Sequence, residues 1–474
     1  MLRRNLVLYL ASRGFAALSN LLAVAIFSRL AGPDIYGHYV VMFAAALVIG
    51  GFSVQWIRYA FFAHYRSDED SDFFASFVAL ICASIVVTIA VTALAFKLAG
   101  VDVAFAAGAV LIGLSTGLFE VTIEVCRTRL EAGRAAFSTS LKAALVLVFG
   151  TLALWWHTNA LALAGGIAAA HLVAALPAAL RLHGLFGGRP NWTETRKLVT
   201  FGWPLMLSFG IGAFAQGIDR FFLAGVAGAA AIGAYGALSD LVRASFTVLG
   251  ESISLATVPL AKRLFSDGDP EAATQTLHHA YRLLLLVGVF LTSGFVVMAP
   301  LLLPIVLPPA FLQDSVRLLP PILLASFLLV MRNVYLAQII YFARASHLEL
   351  LSALILTAVN AALCLILIPR YGALGAAWAF LGGQVASGAF FLAQSRRGFA
   401  MPTPLIPLVG MVLLGIVLTF AGIAIDRLGL ALLPTLGAQS LLFAGALAVA
   451  ALGFGIRPRD VFKDGIARLA VARR

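Results

Sequence analysis

Long apolar runs, separated by short polar segments, occupy the chain from residue 6 to residue 455. Each of the fourteen runs has about 20 residues or more, the length that a helix needs to cross a hydrocarbon core about 30 Å thick. A helix also satisfies its backbone hydrogen bonds internally, as the membrane interior requires. We therefore predict an all-α polytopic membrane protein with 14 transmembrane helices. Composition agrees, because 62% of the residues are hydrophobic and only 11% are charged.

A turn sequence between the first two apolar runs is repeated later in the chain. The segment "SRLAGPDIYGHY" covers residues 28–39, and the similar segment "LAGVAGAAAIGAYG" begins at residue 223. Glycine and proline in such a segment are typical of a tight turn followed by close helix packing. An offset of 196 residues aligns Ala31 with Ala227, Gly32 with Gly228, Gly37 with Gly233, and Tyr39 with Tyr235.

The repeat extends over six runs in each half of the chain. Arg134 aligns with Arg344, and Gly165 with Gly375, at the larger offset of 210 residues. The difference indicates an insertion in the second copy, which we place in the proline-rich stretch at 299–321. Six is an even number of crossings, so the two copies are predicted to be parallel. Transporters often hold their substrate between two such bundles.

The repeat predicts the organisation of the whole chain. Two further helices follow the second copy, and the last residues mix apolar side chains with six basic ones, as in a helix on an anionic membrane surface. The predicted segments are an N-lobe at 1–184 (spans 1–6), a cytoplasmic linker at 185–198, a C-lobe at 199–398 (spans 7–12), spans 13 and 14 at 399–456, and a basic cytoplasmic tail at 457–474.

The distribution of basic residues predicts the orientation. With the N-terminus inside, the inside segments carry 22 Lys and Arg residues and the outside segments carry 5. This asymmetry follows the positive-inside rule, so both termini are expected in the cytoplasm. The net charge of +12 is thereby explained by basic loops, and no nucleic-acid partner is expected.

Enzymatic motifs are not found in the sequence. The three cysteines fall within apolar runs and have no metal-ligand spacing. There is no phosphate-binding glycine loop and no nucleophile–base set. We therefore expect a transporter rather than an enzyme, with no cofactor and no metal site.

Charged residues inside the apolar runs are the candidate functional groups, because a charge in the bilayer core is costly. Span eight carries a polar stripe on one face. Arg13 and Arg58 have no acid on their own helices, so one interpretation is that these two arginines bind an anion. Internal ion pairs that fix helix packing are the alternative, and His171 and Lys142 are expected to be packed or snorkelling. The intramembrane acids are Glu120, Glu124, Asp219, Asp240 and Glu251, and the basic residues are Arg13, Arg58, Lys142, Arg220, Arg243 and Arg332.

Three segments resemble those of a known family. "FSRLAGPDIYGHY" after the first span, "FGWPLMLS" with "GIDRFFLA" in the seventh, and "LIPRYGALGAAWA" between spans eleven and twelve are similar to the polysaccharide flippases. These Wzx-like O-antigen and exopolysaccharide translocases belong to the MATE/MOP superfamily. The resemblance covers about residues 1–395. The order and spacing of the three segments agree with the family, in addition to their residues.

The resemblance implies a function. It implies two lobes around a central cavity and alternating-access translocation of an undecaprenyl-diphosphate-linked oligosaccharide from the cytoplasmic to the periplasmic leaflet, for O-antigen, exopolysaccharide or capsule synthesis. Membrane lipids are then partners, with a polysaccharide polymerase and glycosyltransferases as further candidates. Arg13 resembles a first-span cavity arginine of lipid-diphosphate flippases, and Asp219 with Arg220 matches the "DR" of the seventh span. Leu18 and Ser19 stand near the position of a second arginine in lipid II flippases, which argues against peptidoglycan precursors.

The expected site combines both lines of reasoning. A MATE-type multidrug exporter coupled to Na⁺ or H⁺ remains an alternative, and a channel or scaffold subunit of a polysaccharide export complex is a third. The basic excess in the spans favours an anionic substrate, because a cation site would favour acids and aromatics. The expected diphosphate contacts are Arg13, Arg58, Arg220 and Arg243, and the expected coupling or gate groups are Glu120, Glu124, Asp219, Asp240 and Glu251.

Overall fold

The computed structural model describes residues 2–65, 71–129, 131–180, 188–312, 314–342, 347–395 and 401–453. Within these ranges every regular element is a helix, which confirms the all-α prediction. The basic tail predicted at 457–474 lies outside the described residues. The helices are α1 (Leu2–Gly50), α2 (Trp56–His64), α3 (Ser71–Leu98), α4 (Val103–Thr128), α5 (Ala132–Trp156), α6 (Ala160–Ala179), α7 (Trp192–Val226), α8 (Gly228–Ser266), α9 (Pro270–Val306), α10 (Ser315–Val330), α11 (Ile339–Phe342), α12 (His347–Tyr371), α13 (Ala373–Ser395), α14 (Leu405–Asp426) and α15 (Leu432–Gly453).

Among the described residues, 13 helical stretches are long and apolar enough to cross a membrane. The first, Gly14–His64, has 51 residues, and at about 1.5 Å per residue it is more than twice as long as one crossing requires. Its backbone leaves helical geometry at Gly32, where φ is 69° and ψ is 171°. The break lies where the sequence predicts the turn between spans one and two. The number of 14 crossings stays a prediction.

The two aligned glycines of the repeated segment share one backbone conformation. Gly32 has φ 69° and Gly228 has φ 79°. Positive φ is readily adopted only by glycine, because a Cβ atom would clash with the backbone. This confirms that the repeated segment is a turn.

The described chain divides into two compact units. The first comprises Met1–Ala237, Val306–Phe311 and Cys364–Ala376. The second comprises Leu238–Ile305, Leu312–Leu363 and Ala377–Arg474. The lobes that the repeat predicts, with boundaries at 184 and 199, stay a prediction.

The two copies of the turn contact each other within the first unit. A Cβ atom built on Gly37 would lie 1.8 Å from the carbonyl oxygen of Ala229, and one built on Gly233 would lie 2.2 Å from the carbonyl oxygen of Pro33. Each glycine thus allows the other copy's backbone to approach, as small residues do where membrane helices cross closely. The repeated glycines are required for tertiary packing as well as for the turn.

Part of the proline-rich stretch also packs on the first unit. Arg29 donates from Nη1 to the carbonyl oxygen of Val306 at 2.6 Å. The ring of Phe311 meets the ring of Tyr36 edge-on, with centroids 5.8 Å apart. The residues 306–311 therefore cover the first copy of the turn.

In the second unit, α14 packs on α9 through two glycines. A Cβ atom on Gly415 would lie 2.7 Å from a Val289 methyl group, and one on Gly422 would lie 2.5 Å from a Val297 methyl group. Ser293 donates to the carbonyl oxygen of Gly415 at 3.1 Å. The first helix after the predicted repeats is therefore packed tightly on this unit.

Candidate functional site

Arg58 and Glu120 form an ion pair between α2 and α4. Nη1 of Arg58 donates to Oε2 of Glu120 at 2.8 Å, and Nη2 donates to the Tyr59 hydroxyl at 3.3 Å. The two charged side chains remain 15% and 30% exposed. As the sequence indicates, α2 carries no acid beside Arg58, and the acid comes from α4 instead. A bound anion is not needed to explain why Arg58 is present.

Lys142 of α5 adds a second cation to the same carboxylate. Its Nζ atom lies 3.6 Å from Oε1 of Glu120, and the side chain is 25% exposed. Nζ also lies 4.5 Å from the ring centroid of Phe119, within the range of a cation–π contact. The group formed by Arg58, Glu120 and Lys142, called the α4 charge cluster below, carries a formal charge of +1.

Aromatic rings flank the α4 charge cluster on two sides. The guanidinium carbon of Arg58 lies 4.9 Å from the ring centroid of Tyr59, which stacks on Phe209 of α7 at 4.9 Å. Phe119 supports Lys142 on the other side. Tyr59 is exposed, and its hydroxyl group accepts from Arg58 while its ring stacks on Phe209.

A buried histidine lies beside the cluster. Nδ1 of His171, in α6, is 3.2 Å from the hydroxyl oxygens of both Ser115 and Thr116 in α4. The ring of Phe119 lies 6.3 Å from the imidazole. His171 is therefore a packed and hydrogen-bonded residue, as expected from the sequence.

A π-helical segment directly precedes the helix that carries Arg58. Residues Gly51–Gln55 adopt this wider geometry between α1 and α2. At Gly51 a Cβ atom would lie 2.8 Å from the carbonyl oxygen of Phe209, so α7 approaches the backbone at this point. Such segments rotate the following side chains relative to a regular α-helix and are frequent at functional sites. The segment thus helps set the direction of Arg58.

Glu124 belongs to a separate pair. Oε2 of Glu124 lies 3.5 Å from Nη1 of Arg127, three residues later on α4. Both side chains are partly exposed, so this pair is accessible and contributes little to stability. Of the two acids predicted on α4, Glu120 alone contacts cations from two other helices among the described residues.

Asp219 is fully buried and bonded to a residue of the repeated turn. The Tyr235 hydroxyl donates to Oδ2 of Asp219 at 2.5 Å, and the backbone N–H of Arg220 donates to Oδ1 at 3.0 Å. Arg220 is also buried. The aspartate of the "DR" pair thereby ties α7 to the start of α8, which favours a structural role for this carboxylate.

The polar stripe of α8 lies in the second unit. Arg243 is half-buried, and its guanidinium carbon lies 4.2 Å from the ring centroid of Phe380. Asp240 is half-buried, whereas Glu251 is exposed. Arg243 thus has an aromatic platform of the same kind as Arg58.

Arg13 was the first predicted diphosphate contact. It lies on α1, but its side chain lies outside the described residues. Its contribution to a site stays a prediction.

Lys142 is the member of the cluster that sequence reasoning missed. The sequence analysis predicts that it is packed or snorkelling. The signal that could have indicated its role was the presence of intramembrane acids on other spans, since a buried acid is usually paired with a cation from another helix. The helices that meet cannot be deduced from that signal.

Arg332 provides a contrast in the second unit. Nη2 of Arg332 donates to Oε1 of Glu349 at 2.9 Å, and Nε donates to Ser352 at 3.2 Å. Nη1 donates to Oδ1 of Asn333 at 2.6 Å, and the Arg332 side chain is only 8% exposed. This arginine is enclosed with all three nitrogens bonded, which is the pattern of a structural ion pair.

A family model described as "Polysaccharide biosynthesis protein" matches residues 26–313, which is more than half of the chain. The fold is similar to that of the lipid II flippase MurJ in an inward closed conformation, with a TM-score of 0.75, 12% identity, and coverage of 97% of this chain and 100% of that one. No curated protein matches significantly.

Two further solved structures share the fold at lower similarity. The MATE transporter VcmN from Vibrio cholerae has a TM-score of 0.56 and 12% identity, and the match covers 84% of this chain and 98% of that one. A MOP superfamily transporter from Pyrococcus furiosus, described as having a binding pocket of reverse polarity, has a TM-score of 0.55 and 16% identity, with coverage of 84% and 96%. At these identities the likeness establishes the fold.

Proposed function

We propose that this chain, which belongs to the polysaccharide biosynthesis protein family of the MOP superfamily, translocates an undecaprenyl-diphosphate-linked oligosaccharide. The lipid would move from the cytoplasmic to the periplasmic leaflet of the bacterial inner membrane by alternating access. Family membership and a fold similar to that of a lipid II flippase support transport of a lipid-linked substrate. The chemistry of the α4 charge cluster supports the choice of an anionic head group.

The observation that carries the proposal is the cluster's charge and accessibility. Two cations, Arg58 and Lys142, face one carboxylate inside membrane-spanning helices, and all three side chains remain partly exposed. A diphosphate that enters a low-dielectric environment needs charge-assisted hydrogen bonds to replace its hydration. Arginine supplies a planar fork for phosphate oxygens, and lysine supplies a compact charge. The polyprenyl tail can stay in lipid while the head group crosses.

The other predicted contacts remain part of the proposal. We assign Arg13, Arg220 and Arg243 as further candidate contacts of the diphosphate during transport. Glu124, Asp240 and Glu251 stay candidate coupling or gate groups, and Asp219 is a candidate positioning residue through Tyr235. The sugars would lie on exposed aromatic faces such as that of Tyr59.

Topology and partners extend the same proposal. With 22 basic residues in predicted inside segments and 5 outside, both termini lie in the cytoplasm. The two six-helix lobes at 1–184 and 199–398 would exchange access to the two leaflets. Glycosyltransferases would supply the substrate inside, and a polysaccharide polymerase would consume it outside.

Reconstituted transport tests the proposal. Purified protein in proteoliposomes is given an undecaprenyl-diphosphate-linked oligosaccharide, and an impermeant sugar-modifying reagent measures its appearance in the opposite leaflet. We expect Arg58→Ala to slow transport about 10- to 100-fold, the equivalent of one hydrogen bond to a charged group. Arg58→Lys keeps the charge, loses the fork, and is expected to be intermediate. Lys97→Ala, at the exposed end of α3, is the matched control with unchanged transport.

Two results would overturn the proposal. Full transport by an Arg13→Ala, Arg58→Ala double variant at normal expression would remove both arginines from the diphosphate site. Absence of lipid transport by the wild-type protein, together with efflux of a cationic dye driven by Na⁺ or H⁺, would favour the multidrug exporter.

A further inference from the structure

Glu120 occupies the position in which a phosphate group would meet Arg58 and Lys142. Its two oxygens are divided between the two cations, Oε2 at 2.8 Å from Arg58 and Oε1 at 3.6 Å from Lys142. The three groups come from three different helices, α2, α4 and α5. The carboxylate therefore shows that one anionic group can contact both cations at once.

The bonding of Arg58 is incomplete, in contrast to that of Arg332. Nε of Arg58 is buried and has no hydrogen-bond partner among the described residues. Arg332 donates from Nε, Nη1 and Nη2 and its side chain is 8% exposed, whereas Arg58 donates from Nη1 and Nη2 and its side chain is 15% exposed. At Arg332 every guanidinium nitrogen has a hydrogen-bond partner. In the α4 charge cluster all three charged side chains remain partly exposed.

We propose that Glu120 is a resident counter-ion, which the lipid-linked diphosphate displaces from Arg58 and Lys142 and which takes up a proton when displaced. This inference rests on the proposed function and adds Lys142 as a second diphosphate contact. A diphosphate diester carries two negative charges and matches the two cations. The empty site, with one carboxylate between two cations, carries +1 and attracts the anion.

Charge balance explains the proton. When the dianion takes both cations, the Glu120 carboxylate loses its counter-charges and lies beside a second anion in a poorly solvated site. An ionised carboxylate without a partner is costly there, so it accepts one proton from water. The protonated acid can then donate its O–H to a phosphate oxygen. The proton leaves when the lipid departs and Glu120 returns to Arg58 and Lys142.

Other titratable groups near Glu120 lie on α2, α4 and α6. Tyr59 accompanies Arg58 on α2, and His171 lies on α6 with its Nδ1 atom held by two hydroxyl groups. Glu124 and Arg127 follow on α4, where they pair with each other. Glu120 is the one acid among them whose cationic partners the diphosphate would take.

Calorimetry measures the linked proton directly. The probe is undecaprenyl-diphosphate-linked N-acetylglucosamine, a diester with no group that titrates near neutrality, added to the purified full-length protein in detergent. Binding is measured in buffers of different ionisation enthalpy, which yields the number of protons taken up. We expect about one proton per lipid for the wild type and none for Glu120→Gln. Glu271→Gln, at the exposed start of α9, is the control and keeps the uptake.

The affinity for the probe provides a second test, in which the Glu120 and Lys142 variants are expected to change in opposite directions. Glu120→Gln removes the competing charge, so the probe is expected to bind about 3- to 10-fold more tightly, whereas Lys142→Met weakens binding about 10-fold. A purely structural glutamate would not improve binding when neutralised. Melting temperatures of both variants establish that they are folded, and Glu120→Asp provides a conservative variant that keeps proton uptake if the glutamine variant does not fold.

The outcomes separate this inference from the proposed function. Binding of the probe to wild type without proton uptake, or equal uptake by Glu120→Gln, overturns the counter-ion inference and leaves lipid transport standing. Unchanged affinity in Lys142→Met overturns the assignment of Lys142. Failure of the wild-type protein to bind the probe contradicts the proposed function itself.

Discussion

Adding one methyl group at the contact between the two repeated turns provides a test of the fold. In Gly37→Ala the new Cβ would lie 1.8 Å from the Ala229 carbonyl oxygen, and in Gly233→Ala 2.2 Å from that of Pro33. Both of these oxygens belong to the backbone, so a change of side-chain rotamer cannot relieve the contact. The helices must separate by about 1 to 2 Å to restore van der Waals distance, and the packing between them is lost.

The expected cost follows from overpacking and from helix propensity. Overpacking of a close contact costs about 1 to 3 kcal/mol of unfolding free energy. Alanine in place of a helical glycine raises the unfolding free energy by about 0.5 to 1 kcal/mol, because it lowers the conformational entropy of the unfolded chain. Each single variant should therefore be destabilised by about 0.5 to 2 kcal/mol. One separation relieves both clashes, so the double variant should lose less than the sum of the singles.

Thermal unfolding of the purified protein in detergent measures these effects. Gly212→Ala, on α7, is the matched control, because no atom of another described residue lies within 4 Å of its Cβ position and only the gain in propensity remains. We expect lower melting temperatures for Gly37→Ala and Gly233→Ala and an unchanged or higher one for Gly212→Ala. Losses that add fully in the double variant would refute the shared contact, and singles as stable as the control would refute the close approach.

Two further predictions concern a buried bond and the orientation. Tyr235→Phe leaves the buried Asp219 carboxylate without the hydroxyl donor at 2.5 Å and should cost about 1 to 3 kcal/mol, whereas Tyr371→Phe, on an exposed ring, should leave the melting temperature unchanged. Equal melting temperatures for the two variants would contradict the role of this bond. A cysteine placed at the exposed Asp267 should react with an impermeant thiol reagent only after the cells are opened, and reaction in intact cells would reverse the predicted topology.

The candidate site could be predicted from the sequence only as a set of costly charges. Arg58 and Glu120 were found because a charge within an apolar run is conspicuous, but their pairing joins residues 62 positions apart. Lys142 was expected to be packed or snorkelling, and its contact with Glu120 joins two helices whose meeting the sequence does not reveal. The adjacent pair Asp219 and Arg220 presented the same difficulty, since Tyr235 bonds to the aspartate from the next helix.

The sequence by itself determined the class of fold and its internal repetition. Each apolar run forms a helix because the membrane interior requires backbone hydrogen bonds within the segment, so no knowledge of neighbouring helices is needed. The turn was predictable for the same local reason, and Gly32 and Gly228 have the positive φ that glycine permits. Tertiary structure alone decided which faces meet. It packs Gly37 against the backbone of Ala229, places Glu120 in ion pairs with both Arg58 and Lys142, and pairs Arg332 with Glu349. These contacts depend on how each helix is rotated about its axis and on a π-helical segment. The hydropathy of the sequence predicts neither, because every face of such a helix is apolar enough to enter the membrane.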